Sequence, residues 1–286
     1  MLHDMNNLSI IFFGNTKYSK LGLQIVNKLF PISLVITISN SPVKKLADEL
    51  NIPVIETNKL DKEILKKIET QRVDFLIVED YGLILPKQFL DLPKYAPLNI
   101  HHSLLPKYRG PSPAPSAILA GGKKSGVTII KMNEEVDSGD ILAQKEYELT
   151  PDETTDSLLV KLNQLGAELV VEVMRQYIEG SATPFPQDHS KATFTKRFIK
   201  EDGYFDINNP PSPEILDRMI RAYYPWPGVW CKWNNKIVKF LPSSSHPALD
   251  AGSIKFLLQM EGKKVLSLKD FLNGYPDFPK SILSIV

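Results

Sequence analysis

The residues best suited to chemistry form a short polar group at the end of an apolar run. Asn99 and His101 stand two positions apart in the segment NIHHSLLPKYRG, residues 99–110. If the preceding residues form a strand, alternation places both side chains on the same face. An amide and an imidazole on one face can donate hydrogen bonds to one oxygen or move a proton beside it. The alternative is an asparagine that caps the strand and a histidine that only packs, and the pair alone leaves both open.

A third candidate, Asp137, lies farther along the chain in a Val-Asp-Ser-Gly-Asp turn. Aspartate before glycine is an ordinary turn former, which is the simplest interpretation. A carboxylate beside an imidazole would instead orient the ring and favour its charged form. Spacing along the chain does not decide between the two, because such a pairing would be spatial.

Short apolar runs alternate with helical periodicity in the first half of the chain, which is typical of a doubly wound, mostly parallel α/β sheet. The predicted strands are Leu8–Phe13, Ile32–Ile38, Phe75–Val78, Leu98–Ile100, Val127–Met132 and Ile141–Tyr147, the last two as a hairpin. The stretch from Thr150 to Glu153 has the pattern of a capped helix start, and Gly180 that of the helix end. Ligands of such sheets bind at the carboxyl ends of the strands, where Asn99 and His101 would lie.

The second half of the chain predicts a separate, smaller domain. We assign residues 1–180 to the α/β domain and the polar, proline-containing stretch 181–196 to a linker. Residues 197–286 would form a small, mostly β, barrel-like domain that is short for a complete barrel. It would contain a helix at Pro213–Ala222 and strands at Val229–Trp233, Ile237–Leu241 and Ile254–Met260.

Composition excludes several classes of protein. A formal net charge of +1 over 286 residues gives no overall field that points to nucleic acid or membrane, although a local basic patch stays possible. The single Cys231 rules out a disulfide framework within the chain and a multi-cysteine zinc site. There is no apolar run long enough to span a membrane, and the polar N-terminus has no signal pattern. We therefore expect a cytoplasmic globular protein. We also expect it to be a monomer and to hold no metal ion.

The segment Asn99–Gly110 resembles the signature of the formyltransferases that use 10-formyltetrahydrofolate. The segments Gly126–Ile129 and Asp137–Gly139 are also similar to that family, and Tyr81–Pro86 (YGLILP) resembles the loop that lines its pterin pocket. Within the family the likeness is greatest to the branch that formylates the methionine carried by initiator tRNA, because Arg221–Gly228 (RAYYPWPG) looks like the entry to its C-terminal barrel. The resemblance covers roughly residues 8–239.

This resemblance implies transfer of a formyl group from 10-formyltetrahydrofolate to the amine of initiator methionyl-tRNA. Asn99 and a protonated His101 would stabilise the oxyanion, while Asp137 would raise the imidazole pKa and accept the proton lost by the amine. The folate pocket would comprise Tyr81, Gly82, Leu83, Ile84, Leu85, Ser103, Leu104, Leu105 and Pro106. Contacts to tRNA phosphates would come from Lys196, Arg197, Lys200 and Arg221.

Three features depart from the tRNA branch of that family. The segment Ile38–Lys45 is short and lacks the basic insertion that reaches into the acceptor stem. Asp80 stands where the family more often has a small residue, and the C-terminal domain is short. Two alternatives therefore stay open: an N-formyltransferase for the amino sugar of a nucleotide, and a non-catalytic RNA- or folate-binding relative.

Overall fold

The protein folds as two compact units. The structure, a computed structural model, describes residues 8–246 and 256–279. The first unit comprises the chain up to Pro113 together with Lys124–Glu148 and Leu159–Thr195, and the second comprises Ala114–Lys123, Leu149–Leu158 and the chain from Lys196 onwards. The stretch that the sequence predicts as a linker thus belongs to the first unit as far as Thr195. None of the described helices is both long and apolar enough to cross a membrane.

A seven-stranded sheet forms the centre of the first unit. Its strands are β1 (Ile10–Phe13), β2 (Leu34–Thr37), β3 (Val54–Glu56), β4 (Phe75–Val78), β5 (Ala96–His101), β6 (Lys124–Lys131) and β7 (Ile141–Glu148), in the order β3-β2-β1-β4-β5-β6-β7. Strands β1 to β5 run parallel to one another, whereas β6 pairs antiparallel with both β5 and β7. The predicted mostly parallel α/β sheet with a closing hairpin is confirmed.

Helices cover both faces of this sheet, which explains why its central strands are continuous apolar runs. The helices that cover it are α1 (Lys17–Leu29), α2 (Pro42–Glu49), α3 (Lys62–Glu69), α4 (Lys87–Leu90) and α6 (Thr155–Glu179), whereas α5 (Pro113–Leu119) lies almost entirely in the second unit. Ile10 and Phe12 of β1 pack in the same core as α1, α2 and α6, while Ile11 and Phe13 pack in the core that includes α3 and α4. Alternate side chains of β1 thus pack into two different cores, one on each face of the sheet.

Helix α6 begins four residues later than the sequence predicts. Thr154 is its cap: the Thr154 hydroxyl accepts a hydrogen bond from the Ser157 amide at 3.2 Å, and the Ser157 hydroxyl accepts one from the Thr154 amide at 3.1 Å. Thr150 and Glu153, the predicted capping pair, instead contact each other in the preceding turn. Two similar capping patterns lie four residues apart, and the second one starts the helix. Its end at Gly180 (φ +72°) is as predicted.

The second unit contains a four-stranded antiparallel sheet. Its elements are α7 (Pro213–Ala222), β8 (Val229–Trp233), β9 (Lys236–Pro242), β10 (Phe256–Met260), β11 (Val265–Leu266) and α8 (Leu268–Gly274), with strand order β11-β10-β9-β8. Leu216, Val238, Leu258 and Phe271 lie in its core. The predicted small β-rich domain is confirmed, and the first two residues predicted for its last strand, 254 and 255, lie outside the described residues.

Candidate active site

The candidate catalytic residues gather at the carboxyl edge of the parallel strands. In the register between β4 and β5, Val78 pairs with Asn99. Strand β4 also pairs with β1, and the strand order changes direction between these two strands. Open α/β sheets bind their ligands at such a switch point, outside the carboxyl ends of the strands. The backbone topology therefore places Asn99 and His101 where a site is expected.

The side chains of Asn99 and His101 meet at one carboxylate. The Asn99 amide nitrogen donates a hydrogen bond to Oδ1 of Asp137 at 3.1 Å, and Nδ1 of His101 lies 3.5 Å from the same oxygen. The two side chains therefore share a face, as the alternation along the strand predicts, and Asp137 takes part in the site as well as in its turn. The structure brings all three predicted residues together.

Backbone geometry holds Asp137 in place. Its φ of +50° lies in the left-handed region, which aspartate and asparagine adopt more readily than most residues. The second carboxylate oxygen accepts a hydrogen bond of 2.7 Å from the amide of Gly110, itself at a φ of +106°. Asp137 thus receives one donor on each oxygen, and the segment that follows His101 folds back to supply one of them.

His101 has a defined proton position. Its Nε2 lies 3.0 Å from the carbonyl oxygen of Tyr108, and because a carbonyl can only accept, Nε2 carries the hydrogen. Burial lowers the pKa of His101, while the Asp137 charge and the Tyr108 carbonyl oppose that effect without outweighing it. The resting imidazole is therefore neutral, with Nδ1 unprotonated. Asp137 does raise the His101 pKa, as expected from the sequence, but burial lowers it by more, and the net shift is downward.

Gln187, a residue that no sequence pattern marks, completes this network. It donates hydrogen bonds to the backbone carbonyls of Asp137 and Gly139, at 2.9 and 2.7 Å. Its own side-chain oxygen accepts two from the buried Arg109 guanidinium, at 2.6 and 3.1 Å. Gln187 lies 50 residues from Asp137 along the chain, in the stretch predicted as a linker, so local sequence could not have selected it. Arg109 thereby anchors its own loop.

The predicted folate-pocket residues divide into buried and accessible ones. Tyr81 and Leu85 are buried, and the Tyr81 ring packs edge-to-face on Phe13 with centroids 5.2 Å apart. Between them Ile84 is 72% exposed and Leu83 is 36% exposed. On the second loop Ser103 and Leu105 are buried, and Leu104 and Pro106 are half-buried. Apolar surface is therefore left open on the first loop.

The basic residues predicted to contact tRNA lie in the second unit and differ in their surroundings. Arg221 is committed to the fold, because it pairs with Asp217 at 2.7 Å and donates to the Glu153 carbonyl at 3.1 Å. Lys196 is exposed and paired with Asp202. Arg197 and Lys200 are exposed as well.

One aromatic residue of the same unit is more exposed than its type predicts. The sequence favours core positions for all the tryptophans, and Trp233 does pack against Phe278. Trp226 is instead 62% exposed. Trp230 packs against Tyr204 with the ring planes tilted by 51° and the centroids 4.9 Å apart, and the Lys200 ammonium lies 5.6 Å from the centroid of the Trp230 ring. Cations and aromatic faces therefore occur together on this surface.

A second ionisable group, the Asp80 cluster, consists of Glu79, Asp80 and His102. His102 lies 3.4 Å from Asp80 and 3.7 Å from Glu79, and Glu79 and His102 are buried. Burial raises the pKa of Glu79 to about 8, against the opposing charge of His102. Burial alone would lower the pKa of His102, but the two carboxyl groups outweigh it and raise the pKa to about 10. At neutral pH the cluster holds an imidazolium, an Asp80 carboxylate and a protonated Glu79.

This cluster predicts that the folded state loses stability as the pH rises. The folded-state pKa of His102, about 10, lies above its ordinary value of 6.5, so its contribution is complete below pH 6.5 and disappears as the pH rises through 10. Glu79 acts in the same direction between its ordinary pKa of 4.5 and about 8. We expect the free energy of unfolding, measured with denaturant from pH 6 to 10, to fall steadily, and the fall to be smaller in His102→Gln. His246→Gln is the matched control and should show the wild-type fall. If the free energy of unfolding of His102→Gln fell as steeply with pH as that of the wild type, the assigned charges would be wrong.

Within the residues described, the structure contains no group of three or more His, Cys, Asp or Glu side chains arranged to hold a metal ion. The site offers an amide, an imidazole and a carboxylate. Such a set can stabilise a developing oxyanion and transfer a proton, the two requirements of acyl transfer to an amine.

Comparison with protein families identifies the class of this protein. Residues 23–174 match the formyl transferase family, and residues 197–256 match the C-terminal domain of formyl transferases. The chain belongs to the formyl transferase family and is an enzyme of that type.

Individual relatives show which branch of the family this chain resembles. A methionyl-tRNA formyltransferase of Roseiflexus castenholzii is 37% identical over 249 residues, which cover 82% of this chain and 79% of the relative. The methionyl-tRNA formyltransferase of Thermodesulfovibrio yellowstonii is 33% identical over 296 residues, covering 93% and 95% of the two chains. The likeness to the tRNA branch therefore extends over both units.

Solved structures share the fold at lower identity. An N-formyltransferase of Helicobacter canadensis, in complex with folinic acid and dTDP-3-aminofucose, has a TM-score of 0.63 at 19% identity and covers 82% of this chain and 87% of its own. A phosphoribosylglycinamide formyltransferase of Streptococcus pneumoniae has a TM-score of 0.54 at 22% identity, covering 60% of this chain and 99% of its own. Both likenesses concern the fold.

Proposed function

We propose that this enzyme transfers the formyl group of 10-formyltetrahydrofolate to the α-amine of initiator methionyl-tRNA. The observation that carries the proposal is the convergence of Asn99 and His101 on the Asp137 carboxylate. It occurs in a chain that is 37% identical to a methionyl-tRNA formyltransferase. The roles below are assigned to this geometry.

Asn99 stabilises the negative charge that develops on the formyl oxygen as the amine attacks. One N–H of its amide is donated to Asp137. An amide carries a second N–H, which that hydrogen bond orients and which is available to the oxyanion. A preorganised donor of this kind contributes about 3–4 kcal/mol to transition-state stabilisation.

His101 acts as the base that removes the proton of the attacking amine. Because Nε2–H is donated to Tyr108, the unprotonated Nδ1 is the atom that accepts this proton. The imidazolium formed in this way lies beside the Asp137 carboxylate, which stabilises it. It then returns the proton to the nitrogen that leaves with tetrahydrofolate, so that one C–N bond forms and another breaks. This role replaces the protonated oxyanion donor expected from the sequence.

The formyl donor would be held by the two predicted loops. The exposed side chains of Leu83 and Ile84 lie in the same loop as the buried Tyr81, whose hydroxyl is buried without a hydrogen-bond partner among the described residues. The exposed apolar side chains of this loop suit the face of a flat heteroaromatic ring. On the second loop Ser103, Leu104, Leu105 and Pro106 would complete the pocket.

Transfer RNA would be bound through phosphate contacts and stacking on the second unit. Lys196, Arg197 and Lys200 are exposed there, close in sequence to one another. Lys200 lies over the Trp230 ring, and Trp226 presents an exposed indole. Cations beside aromatic faces are typical of surfaces that bind nucleic acid. Arg221 is left out of this surface because its guanidinium is used within the fold.

Neutralising this surface should change the salt dependence of tRNA binding. In the triple variant Lys196→Ala, Arg197→Ala, Lys200→Ala, we expect the log–log slope of affinity against salt to become less negative by about 0.7–0.9 for each phosphate that the variant no longer binds. Fluorescence titration of methionyl-tRNA at several salt concentrations measures the slope. The matched control removes the same charge from another part of the unit, with Lys263, Lys264 and Lys269 changed to alanine. If the slope of affinity against salt were the same in both triple variants, the RNA would bind to a different surface of the protein.

A second candidate acceptor is the amino sugar of a nucleotide. The observation that favours it is the short connection Ile38–Ser41 between β2 and α2, which lacks an insertion that could reach into the acceptor stem. The two candidates are separated by a competition assay in which one formyl donor meets both methionyl-tRNA and a nucleotide-linked amino sugar. Formylation of methionyl-tRNA supports the proposal. Formylation of the amino sugar alone would replace the tRNA assignment while leaving the catalytic assignment intact.

A further inference from the structure

The Asp80 cluster borders the active site, and the mechanism above does not use it. Glu79 and Asp80 directly follow β4, and His102 directly follows β5, so the cluster shares the sheet edge with Asn99 and His101. It is also electrostatically coupled to catalysis: the charges of His102 and Asp80 both act on the His101 imidazole, with opposite signs. A change of charge in the cluster therefore changes the pKa of the catalytic base, His101.

Asp80 is the member of the cluster that solvent reaches. Its side chain is 23% exposed, whereas those of Glu79 and His102 are 0% and 4% exposed. The Thr16 hydroxyl donates a hydrogen bond of 3.1 Å to Oδ2, and His102 Nδ1 lies 3.4 Å from Oδ1. The backbone at Asp80 is left-handed, with φ at +49°. Both oxygens and the main chain are thus fixed, and the carboxylate is a rigid anion with one accessible side.

The other two members have unused polar atoms. Both carboxyl oxygens of Glu79 and Nε2 of His102 are buried and have no hydrogen-bond partner among the described residues. Such groups are uncommon in proteins, and each of them requires an explanation. Gly22 of α1 provides the space for the Glu79 carboxyl group, which a Cβ at that position would overlap. The fold thus accommodates Glu79 and His102 behind Asp80.

The acceptor presents a chemical requirement that this arrangement meets. A primary amine is partly an ammonium ion at neutral pH, and only the neutral form attacks a carbonyl carbon. It must therefore lose one proton before attack and a second one during it. His101 Nδ1 accounts for the second proton. The first proton passes to water, and until then the acceptor is a cation that a fixed, solvent-accessible carboxylate can bind.

We propose that Asp80 binds the ammonium form of the acceptor beside the catalytic residues, an inference that rests on the proposed function. One N–H bond of the bound ammonium then breaks, and the proton passes to water, which reaches the exposed side of Asp80. The neutral amine remains to attack the formyl carbon. His102 and Glu79 are positioning residues that hold the carboxylate. Asp80 thereby selects an amine over a neutral acceptor of the same shape.

The test compares two forms of one RNA. Wild-type protein should bind methionyl-tRNA at least about tenfold more tightly than the same tRNA esterified with the 2-hydroxy analogue of methionine, which has nearly the same shape and no ammonium group. In Asp80→Asn, whose side chain tolerates the left-handed backbone, this ratio should fall to about one, and KM for methionyl-tRNA should rise more than kcat falls. Asp91→Asn, an exposed change on a neighbouring element, should keep the wild-type ratio. A ratio that Asp80→Asn leaves unchanged would overturn the inference.

Two further measurements keep the outcomes distinct. Removing Asp80 alone leaves the buried His102 cation without its main partner, so the double variant Asp80→Asn, His102→Gln removes both charges and protects the fold. The affinity ratio of the double variant should also fall to about one. If the double variant kept the wild-type ratio, the inference would be overturned. Formyl transfer by the wild type is measured in parallel. A wild type that transfers no formyl group would refute the proposed function and this inference with it, whereas an active wild type with an unaltered Asp80→Asn ratio refutes the inference alone.

Discussion

Replacing His101 with alanine is expected to lower kcat for formyl transfer by about two to four orders of magnitude, the range that general acid–base catalysis contributes. The variant loses the Nδ1 atom that takes up the amine proton and returns it to the leaving nitrogen. Folate binding should stay close to that of the wild type, because the imidazole acts at the reacting centre. Steady-state kinetics with methionyl-tRNA, together with donor binding by calorimetry, separates the two quantities.

The glutamine variant of the same residue sharpens this result. His101→Gln retains an N–H that can be donated to Tyr108 but offers no basic nitrogen, so its kcat should be as low as that of His101→Ala. His246→Ala, in the second unit, is the matched control and should remain active. Near-wild-type turnover in His101→Gln would show that the residue supplies a hydrogen bond and not a base.

The second large effect is expected for Asp137→Asn, which should lower kcat by about two to three orders of magnitude. Asparagine tolerates the left-handed backbone at this position, so the turn should persist. The charge disappears, and one amide oxygen cannot replace two carboxylate oxygens that accept from Asn99 and Gly110. Asp140→Asn, an exposed change in the same turn, serves as the control in the kinetic assay.

The pH profile of Asp137→Asn carries a further expectation. The Asp137 charge raises the His101 pKa against the larger effect of burial, so its removal lowers that pKa further. The acidic limb of kcat/KM, which reports the neutral base, should therefore move to lower pH. An acidic limb that stays in place, together with a basic limb that moves to lower pH, would mean that His101 works in its protonated form.

The parallel sheet was predictable because each strand of its centre is a continuous apolar run that needs burial on both faces. Strand β3 and helix α3 were not predicted. The three residues of β3 are only half-buried or exposed, and α3 turns just two buried side chains, Ile64 and Ile68, towards the core. Elements that bury so little surface leave a weak hydrophobic pattern, and packing against their neighbours defines them.

The catalytic site was predictable where one strand carries its residues. Asn99 and His101 share a strand, so alternation alone puts them on one face. Asp137 was selected by resemblance, and Gln187 was not selected at all, because both reach the site through contacts between distant segments. The roles of Glu79 and His102 were equally hidden, since their charges follow from burial and mutual distance and not from residue type.

The central claim is that this site moves a formyl group from a folate to an amine, and isotope tracing tests it most directly. 10-Formyltetrahydrofolate labelled in the formyl carbon is incubated with the protein and methionyl-tRNA, and label is followed in the recovered methionine and in free formate. We predict that the label appears in N-formylmethionine on the tRNA, with one tetrahydrofolate released for each label transferred. Label released as formate, or retained entirely in the folate, would contradict the account.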